Sequence, residues 1–383
     1  MEGLLTIPGI KVGGIHCGIK RKGKDLSLIY SERPSNWAGV FTRNKVTSPC
    51  ITFNKRRKNN KISAIIINSG NANTGTGKRG MDDVKKIARI TAKNLNVLYS
   101  SVLVAHTGKI GEFLPMEKIE PGIKRLVASL HYGTQDDCME GIMTTDRTKK
   151  DVFLDLGFCK IAGIAKGAGM IYPNMATMLS FIVTDACFGN SELKEILKNC
   201  VDETFNRISI DGCTSTNDMV IIMANGTAGK VDRDKFSDGL LFICTELARK
   251  IVRNGEGATK IIRIVVEGAR TKKDAKAIAS SIANSLLVKT AMHGENPNFG
   301  RVLSACGTDL LAKIDPKKIK IWLQNHLVIY CGVKAEFDRE RVKEALKEKE
   351  IEIRIELGLG SESMVFLTCD LSIEYVKINT KYS

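Results

Sequence analysis

Short apolar, β-branched runs recur along the whole chain, each stopped by Gly, Asn or a charged residue, with stretches of helical spacing lying between them. The strand-like runs are 25–30, 38–41, 64–68, 101–105, 152–158, 179–184, 219–224, 260–267, 326–330, 351–357 and 363–369. Helical spacing appears over 82–95, 191–207, 237–253, 274–289 and 338–348. Strands often come in pairs before a helix intervenes. That order predicts a mixed, layered α/β architecture rather than a barrel or a simple doubly wound sheet. No run approaches the ~20 apolar residues that a bilayer span needs. The first residues, Met-Glu-Gly-Leu-Leu-Thr-Ile-Pro, lack a basic segment leading into an apolar one. A cytoplasmic protein with no membrane partner is therefore expected.

At 383 residues, with 43% hydrophobic and 26% charged side chains, the chain can bury a large core and is not of disordered composition. Its net charge of +16 is uneven: residues 1–176 carry 28 Lys+Arg against 14 Asp+Glu, and residues 177–383 carry 30 against 28. Such an excess raises the question of an anionic partner, with nucleic acid the obvious one. The densest run, Lys55 to Lys61, lies between strand-like segments and holds no aromatic residue on which a base could stack. It reads as a solvated hairpin tip, and no nucleic-acid partner is expected.

Several familiar motifs fail on inspection. Gly75, Gly77 and Gly80 have the spacing of a dinucleotide fingerprint. The preceding strand ends too early, however, and no acidic residue stands about 20 positions on to hold a ribose. These glycines read as a loop leading into a helix, and no cofactor is expected. His16, His106, His131, His293 and His326 are scattered without ligand spacing, so no metal is expected, and there is no Gly-x-Ser-x-Gly elbow. Eleven cysteines, an odd count without close pairs, read as mostly reduced core residues, among them Cys159, Cys187, Cys306, Cys331 and Cys369.

The segment from Gly157 to Pro173 is the clearest break in the pattern, and it leads to Thr177 at the mouth of an apolar strand. Its glycines let backbone amides approach a ligand, and Lys166 offers a fixed cation. A threonine hydroxyl needs a base, and one solution is its own α-amino group, freed by cutting the preceding peptide bond. Such an amine titrates near pH ~8 and is partly free base at neutrality. From the residues alone the segment is either that device or a glycine loop entering a buried strand.

The run Lys166-Gly-Ala-Gly-Met-Ile-Tyr-Pro-Asn-Met-Ala-Thr177-Met-Leu resembles the self-cleavage segment of the glutamate N-acetyltransferase family, also called ornithine acetyltransferases. Similar blocks extend the resemblance over the chain: Ala38-Gly-Val-Phe-Thr, Asn68 to Asn73, Thr107-Gly108, Met143-Thr-Thr-Asp146, Asn206 to Gly212, Thr214 to Asp218, Val288 to Ala291, Gly294-Glu295, Gly300-Arg301 and Val376 to Asn379.

The resemblance implies an α/β fold, a layered αββα sandwich of the self-processing N-terminal-nucleophile type. It implies cleavage between Ala176 and Thr177 into an α chain (1–176) and a β chain (177–383) that stay associated, in the family's usual α2β2 assembly. The implied reaction moves an acetyl group from N2-acetylornithine to glutamate through an acetyl-Thr177 intermediate; family members differ in whether acetyl-CoA also serves. Thr107 and Gly108 are implied as oxyanion donors, and Thr144, Thr145, Lys166, Glu295, Asn379 and Ser383 as substrate contacts. Departures from the family pattern fall at Lys109, expected to face solvent, and at Cys213, His293, Asn296 and Phe299. The competing implication is an amidase or aminopeptidase of the same architecture, in which water resolves the acyl-enzyme.

Overall fold

The computed structural model describes residues 3–58, 60–172 and 178–381. They form two compact units: residues 1–206 with 213–251, and residues 207–212 with 252–383.

The first unit is built on β1 (Ile10–Ile15), β2 (Leu26–Phe41), β3 (Ile62–Asn71), β4 (Val102–Lys109), β5 (Lys150–Asp155), β6 (Lys160–Lys166), β7 (Leu179–Ala186) and β9 (Met219–Gly229). The strand order is β4-β3-β2-β9-β7-β6-β5, with β1 beside β2. β2 does two jobs. Its residues Leu26 to Tyr30 pair with β3 and β1, the register shifts before Ser35, and Asn36 to Phe41 pair with β9. Exposed Glu32, Arg33 and Pro34 occupy the shift. A proline there interrupts the ladder where no partner strand is needed, so one strand passes from one half of the sheet into the other.

Ile65 and Ile67 of β3, Leu103 and Ala105 of β4, Phe181 and Val183 of β7 and Ile221 and Met223 of β9 share one core. The helices α1 (Pro49–Lys55), α2 (Gly77–Leu95), α3 (Met116–Ser129) and α4 (Gln135–Ile142) cover the first half. Val84, Ile87, Ile123 and Leu126 project from them into that same core. The helices α5 (Asn190–Glu203), packed on β2, and α6 (Arg233–Arg253, belonging here through Ile251), packed on β5 and β6 through Gly239, Ile243 and Leu247, cover the second half. This is the expected αββα layering. β7 is buried along its whole length, which suits the apolar run Phe181-Ile-Val183 at its centre.

The second unit holds β8 (Ile208–Ser209), β10 (Ile261–Ala269), β11 (Lys320–Leu323), β12 (His326–Tyr330), β13 (Val333–Lys334), β14 (Glu350–Glu356) and β15 (Glu362–Cys369) in the order β13-β12-β11-β14-β10-β15-β8. Its helices are α7 (Lys272–Asn284), α8 (Leu286–His293), α9 (Phe299–Cys306), α10 (Arg339–Ala345) and α11 (Ile373–Lys381). Ile351, Ile353 and Ile355 alternate with charged residues on β14, so one face of that strand joins Ile264, Ile278 and Phe366 in the core.

Five expectations change. The runs 25–30 and 38–41 are parts of the single strand β2. The Gly-rich break contains β6, because Gly163 leaves room for Ile243 and Leu247 of α6: a Cβ there would lie 2.9 Å from the Leu247 side chain. The stretch 274–289 is two helices divided at Ser285, whose hydroxyl accepts from the Val288 N–H and caps α8. The basic run is no hairpin tip, since it begins at the end of α1, where Arg57 stacks 3.5 Å from the Phe53 ring centroid. Cys187 and Cys331 are exposed rather than core residues, while Cys159, Cys306 and Cys369 are buried. Gly77 does start a helix, and Gly75 at φ 76° makes the turn before it.

Candidate active site

Four of the residues singled out in the sequence, Thr107, Gly108, Thr144 and Lys166, converge in the first unit. β4 brings Thr107 and Gly108 to the end of its parallel ladder with β3, opposite Ser69 and Gly70. β6 ends at Lys166, paired across the ladder with Leu179, the first residue of β7. Thr144 follows α4. The buried Lys166 ammonium donates to Thr144 Oγ1 at 2.7 Å and to Thr107 Oγ1 at 3.2 Å. An ammonium can only donate, so the Thr107 hydroxyl accepts from it and keeps its own proton for another acceptor.

Gly108 sits at φ 134°, a conformation that L side chains rarely adopt. A Cβ there would lie 2.2 Å from the Gly70 carbonyl carbon. Only glycine allows the two parallel strands to close at this point. Thr145 is half-buried and its side chain has no hydrogen bond among the described residues. Lys109 is half-buried rather than fully in solvent, and makes no ion pair among the described residues.

Three neighbours that sequence reasoning gave no role support this cluster. Asp146, whose side chain is fully buried, accepts from Lys150 Nζ at 2.5 Å, from the Gly167 N–H at 2.7 Å and from the Thr144 N–H at 3.1 Å. Burial alone would raise its carboxyl, but Lys166, Lys150 and the Gly167 N–H outweigh that and hold it at about 2. Asn217 donates to the His106 carbonyl at 2.9 Å and the Ala72 carbonyl at 2.8 Å, fixing the chain just before Thr107. Asp218, also buried, accepts the Met178 N–H at 3.0 Å, and burial pushes its carboxyl well above the ordinary range. The only sequence signal for Asp146 was its place at the end of the family-like block Met143 to Asp146. Asn217 and Asp218 gave none beyond lying in a block similar to the family.

His106 is buried and its pKa falls to about 3 because burial disfavours the cation. Asn68 donates its amide to the Asn71 carbonyl, which leaves its Oδ1 to accept from His106 Nδ1. The bare Nε2 is buried with no partner among the described residues.

Glu295 and Asn379 belong to the second unit. Glu295, at φ 54°, accepts from Lys260 Nζ at 3.0 Å, and that hydrogen bond draws its carboxyl below the ordinary value. Lys260 also donates to the Leu346 carbonyl at 2.6 Å. Asn379 lies on α11, and its amide donates to Glu256 Oε2 at 2.8 Å and to the Tyr375 carbonyl at 3.0 Å. His293 meets Asp370 Oδ2 at 2.7 Å, and Asn296 accepts from Arg339 at 3.2 Å. Ala176, Thr177 and Ser383 lie outside the described residues.

The sequence profile of the ArgJ family matches residues 11–383. The chain is 44% identical over 399 aligned positions to the arginine biosynthesis bifunctional protein ArgJ of Caldanaerobacter subterraneus subsp. tengcongensis, covering 100% of this chain and 99% of that protein. It is 43% identical to the Thermotoga neapolitana protein of the same name, covering 98% of each. Among solved structures it is similar to the arginine biosynthesis bifunctional protein ArgJ of Bacillus halodurans, with a TM-score of 0.52 and 37% identity over 54% of this chain and 100% of that one.

Proposed function

Because the chain belongs to the ArgJ family, we propose that it is a self-processing acetyltransferase of arginine biosynthesis, moving the acetyl group of N2-acetylornithine to glutamate. The observation that carries this reading is the Lys166 ammonium held between the Thr107 and Thr144 hydroxyls at the strand end that faces Leu179. A fixed cation beside a hydroxyl free to donate suits a substrate carboxylate next to a developing oxyanion.

In this reading the Thr177 hydroxyl attacks the Ala176 carbonyl, the peptide becomes an ester, and water hydrolyses it to leave a free α-amine. That amine then takes the proton as Thr177 attacks the acetyl carbonyl of the donor. Thr107 Oγ1–H and the Gly108 N–H stabilise the oxyanion, a single such donor being worth roughly 3 kcal/mol. Ornithine leaves with the proton, and the glutamate amine takes the acetyl group from the enzyme ester. One amide is exchanged for another, so the overall reaction needs no activated donor. Ping-pong kinetics follow.

The fold explains how a chain cut after Ala176 would hold together. The cut falls between β6 and β7, which pair antiparallel from Ile161↔Thr184 to Lys166↔Leu179, and β7 is flanked on its other side by β9. β2 of the first segment pairs with β9 of the second. The solved Bacillus halodurans chain, matched over its full length, corresponds to 54% of this one, the share that residues 177–383 make up. That proportion supports a processed family member.

The test is to incubate purified protein with N2-acetylornithine, with and without glutamate. Formation of N-acetylglutamate and ornithine only when both are present is expected. Release of free acetate regardless of glutamate would assign the chain to the hydrolases instead.

A further inference from the structure

Away from the cluster around Lys166, the first unit carries a cavity of about 450 Å³ between the second half of β2, the end of α1 and one face of α5. Its floor is apolar: buried Trp37 and half-buried Val40 and Phe41. The two rings lean together over Gly39, where a Cβ would lie 2.8 Å from Phe41 and 2.9 Å from Trp37. The indole is buried and already satisfied, donating to the Asn60 carbonyl at 3.1 Å, so it backs the floor, and the half-buried Phe41 ring is the aromatic surface that the cavity offers.

The rim is basic. Arg43, Lys55, Lys58 and Lys194 are exposed, line the cavity and have no acidic partner among the described residues. The only carboxylate in the lining, Asp202, is paired with Lys198 at 2.6 Å. Four uncompensated cations around one concavity repel one another and focus a positive potential into it. An anion entering the cavity removes that repulsion. The volume suits one small ligand rather than a macromolecular strand. The notion that the basic run lacks aromatic neighbours held only along the sequence; in three dimensions Lys55 stands 5.7 Å from the Phe41 ring centroid.

We infer that this cavity binds a nucleoside polyphosphate, with the base on the Val40–Phe41 floor and the phosphates among Arg43, Lys55, Lys58 and Lys194. Both halves of the lining are then used: charge recognises the phosphates, and a flat apolar surface recognises the base. The inference is independent of the acetyl-transfer reading, because no lining residue belongs to the Lys166 cluster.

The test is equilibrium binding to the purified full chain with three probes: ATP, inorganic tripolyphosphate and adenosine. ATP should bind roughly tenfold more tightly than either part alone, the size of one stacking contact or of a few charge contacts. Its affinity should fall as salt rises. The double variant Lys58→Glu, Lys194→Glu, changed only at exposed positions, should weaken ATP by at least about tenfold with unchanged acetyl transfer. Lys58→Gln, Lys194→Gln should fall between it and wild type. Equal affinity for tripolyphosphate and ATP, unaltered ATP binding in the Glu variant, or a single-stranded oligonucleotide binding more tightly than ATP would each overturn the inference.

Discussion

Asp218 accepts the main-chain N–H of Met178 through Oδ1 at 3.0 Å, while its Oδ2, also buried, has no partner among the described residues. The carboxyl therefore sits beside the residue that follows Thr177, and desolvation pushes its pKa well above the ordinary carboxyl value. A neutral acid is closely matched by an amide. Asp218→Asn should keep the acceptor for Met178 and retain most activity, whereas Asp218→Ala, losing it, should slow self-cleavage and turnover by roughly tenfold.

The same shift fixes a pH dependence. The folded-state pKa is raised, so the stability from keeping the proton is complete below 3.8 and is lost as pH rises through the folded value. Asn at this position has no proton to lose. Melting curves of wild type and Asp218→Asn should therefore diverge with rising pH, the variant gaining; a difference constant from acid to neutral pH would contradict the raised pKa.

Asp146 carries the opposite sign. Its folded-state pKa, about 2 against 3.8, gives stability that is present above 3.8 and lost as pH falls from there toward 2. That displacement corresponds to roughly 2 kcal/mol. Asp146→Asn also leaves Lys150 and Lys166 without their buried counter-charge, so a loss of about 3–5 kcal/mol is expected in denaturant unfolding at neutral pH. The loss should shrink in acid, where wild type loses the same contribution.

The hydroxyl and the ammonium at the cluster should separate kinetically. Thr107→Val removes an oxyanion donor and should lower kcat by roughly 10²–10³. Lys166→Met removes a cation aimed at a bound carboxylate and should raise KM by about tenfold or more. If both variants changed only KM, Thr107 would have no part in transition-state stabilisation.

Gly108 should tolerate nothing larger. With φ at 134° and a Cβ position 2.2 Å from the Gly70 carbonyl carbon, Gly108→Ala must part β3 from β4. Poor folding or a destabilisation above about 2 kcal/mol is expected in thermal melts, together with lost activity.

Much of this was legible in the sequence, and the failures have physical causes. Runs such as 64–68 and 219–224 became strands because their apolar density admits little else at that length. β6 stayed hidden because glycine reads locally as a loop, whereas Gly163 answers to Ile243 and Leu247, some eighty residues away. β2 looked like two strands because Pro34 breaks the pattern at the point where the strand changes partners. At the site, Thr107, Thr144 and Lys166 were found by resemblance, and the structure adds the contacts that join them. Asp146, Asn217 and Asp218 act by holding backbone or balancing charge, roles that no local pattern encodes. Glu295 and Asn379 were named, but their partners Lys260 and Glu256 could be recognised only from the fold.

The most direct test of the central claim is the intact mass and N-terminal sequence of the active, purified protein. The account predicts two co-purifying chains, one beginning Thr177-Met-Leu-Ser, and a single inactive chain for Thr177→Ala. A fully active preparation that remains one chain of 42.0 kDa would contradict it.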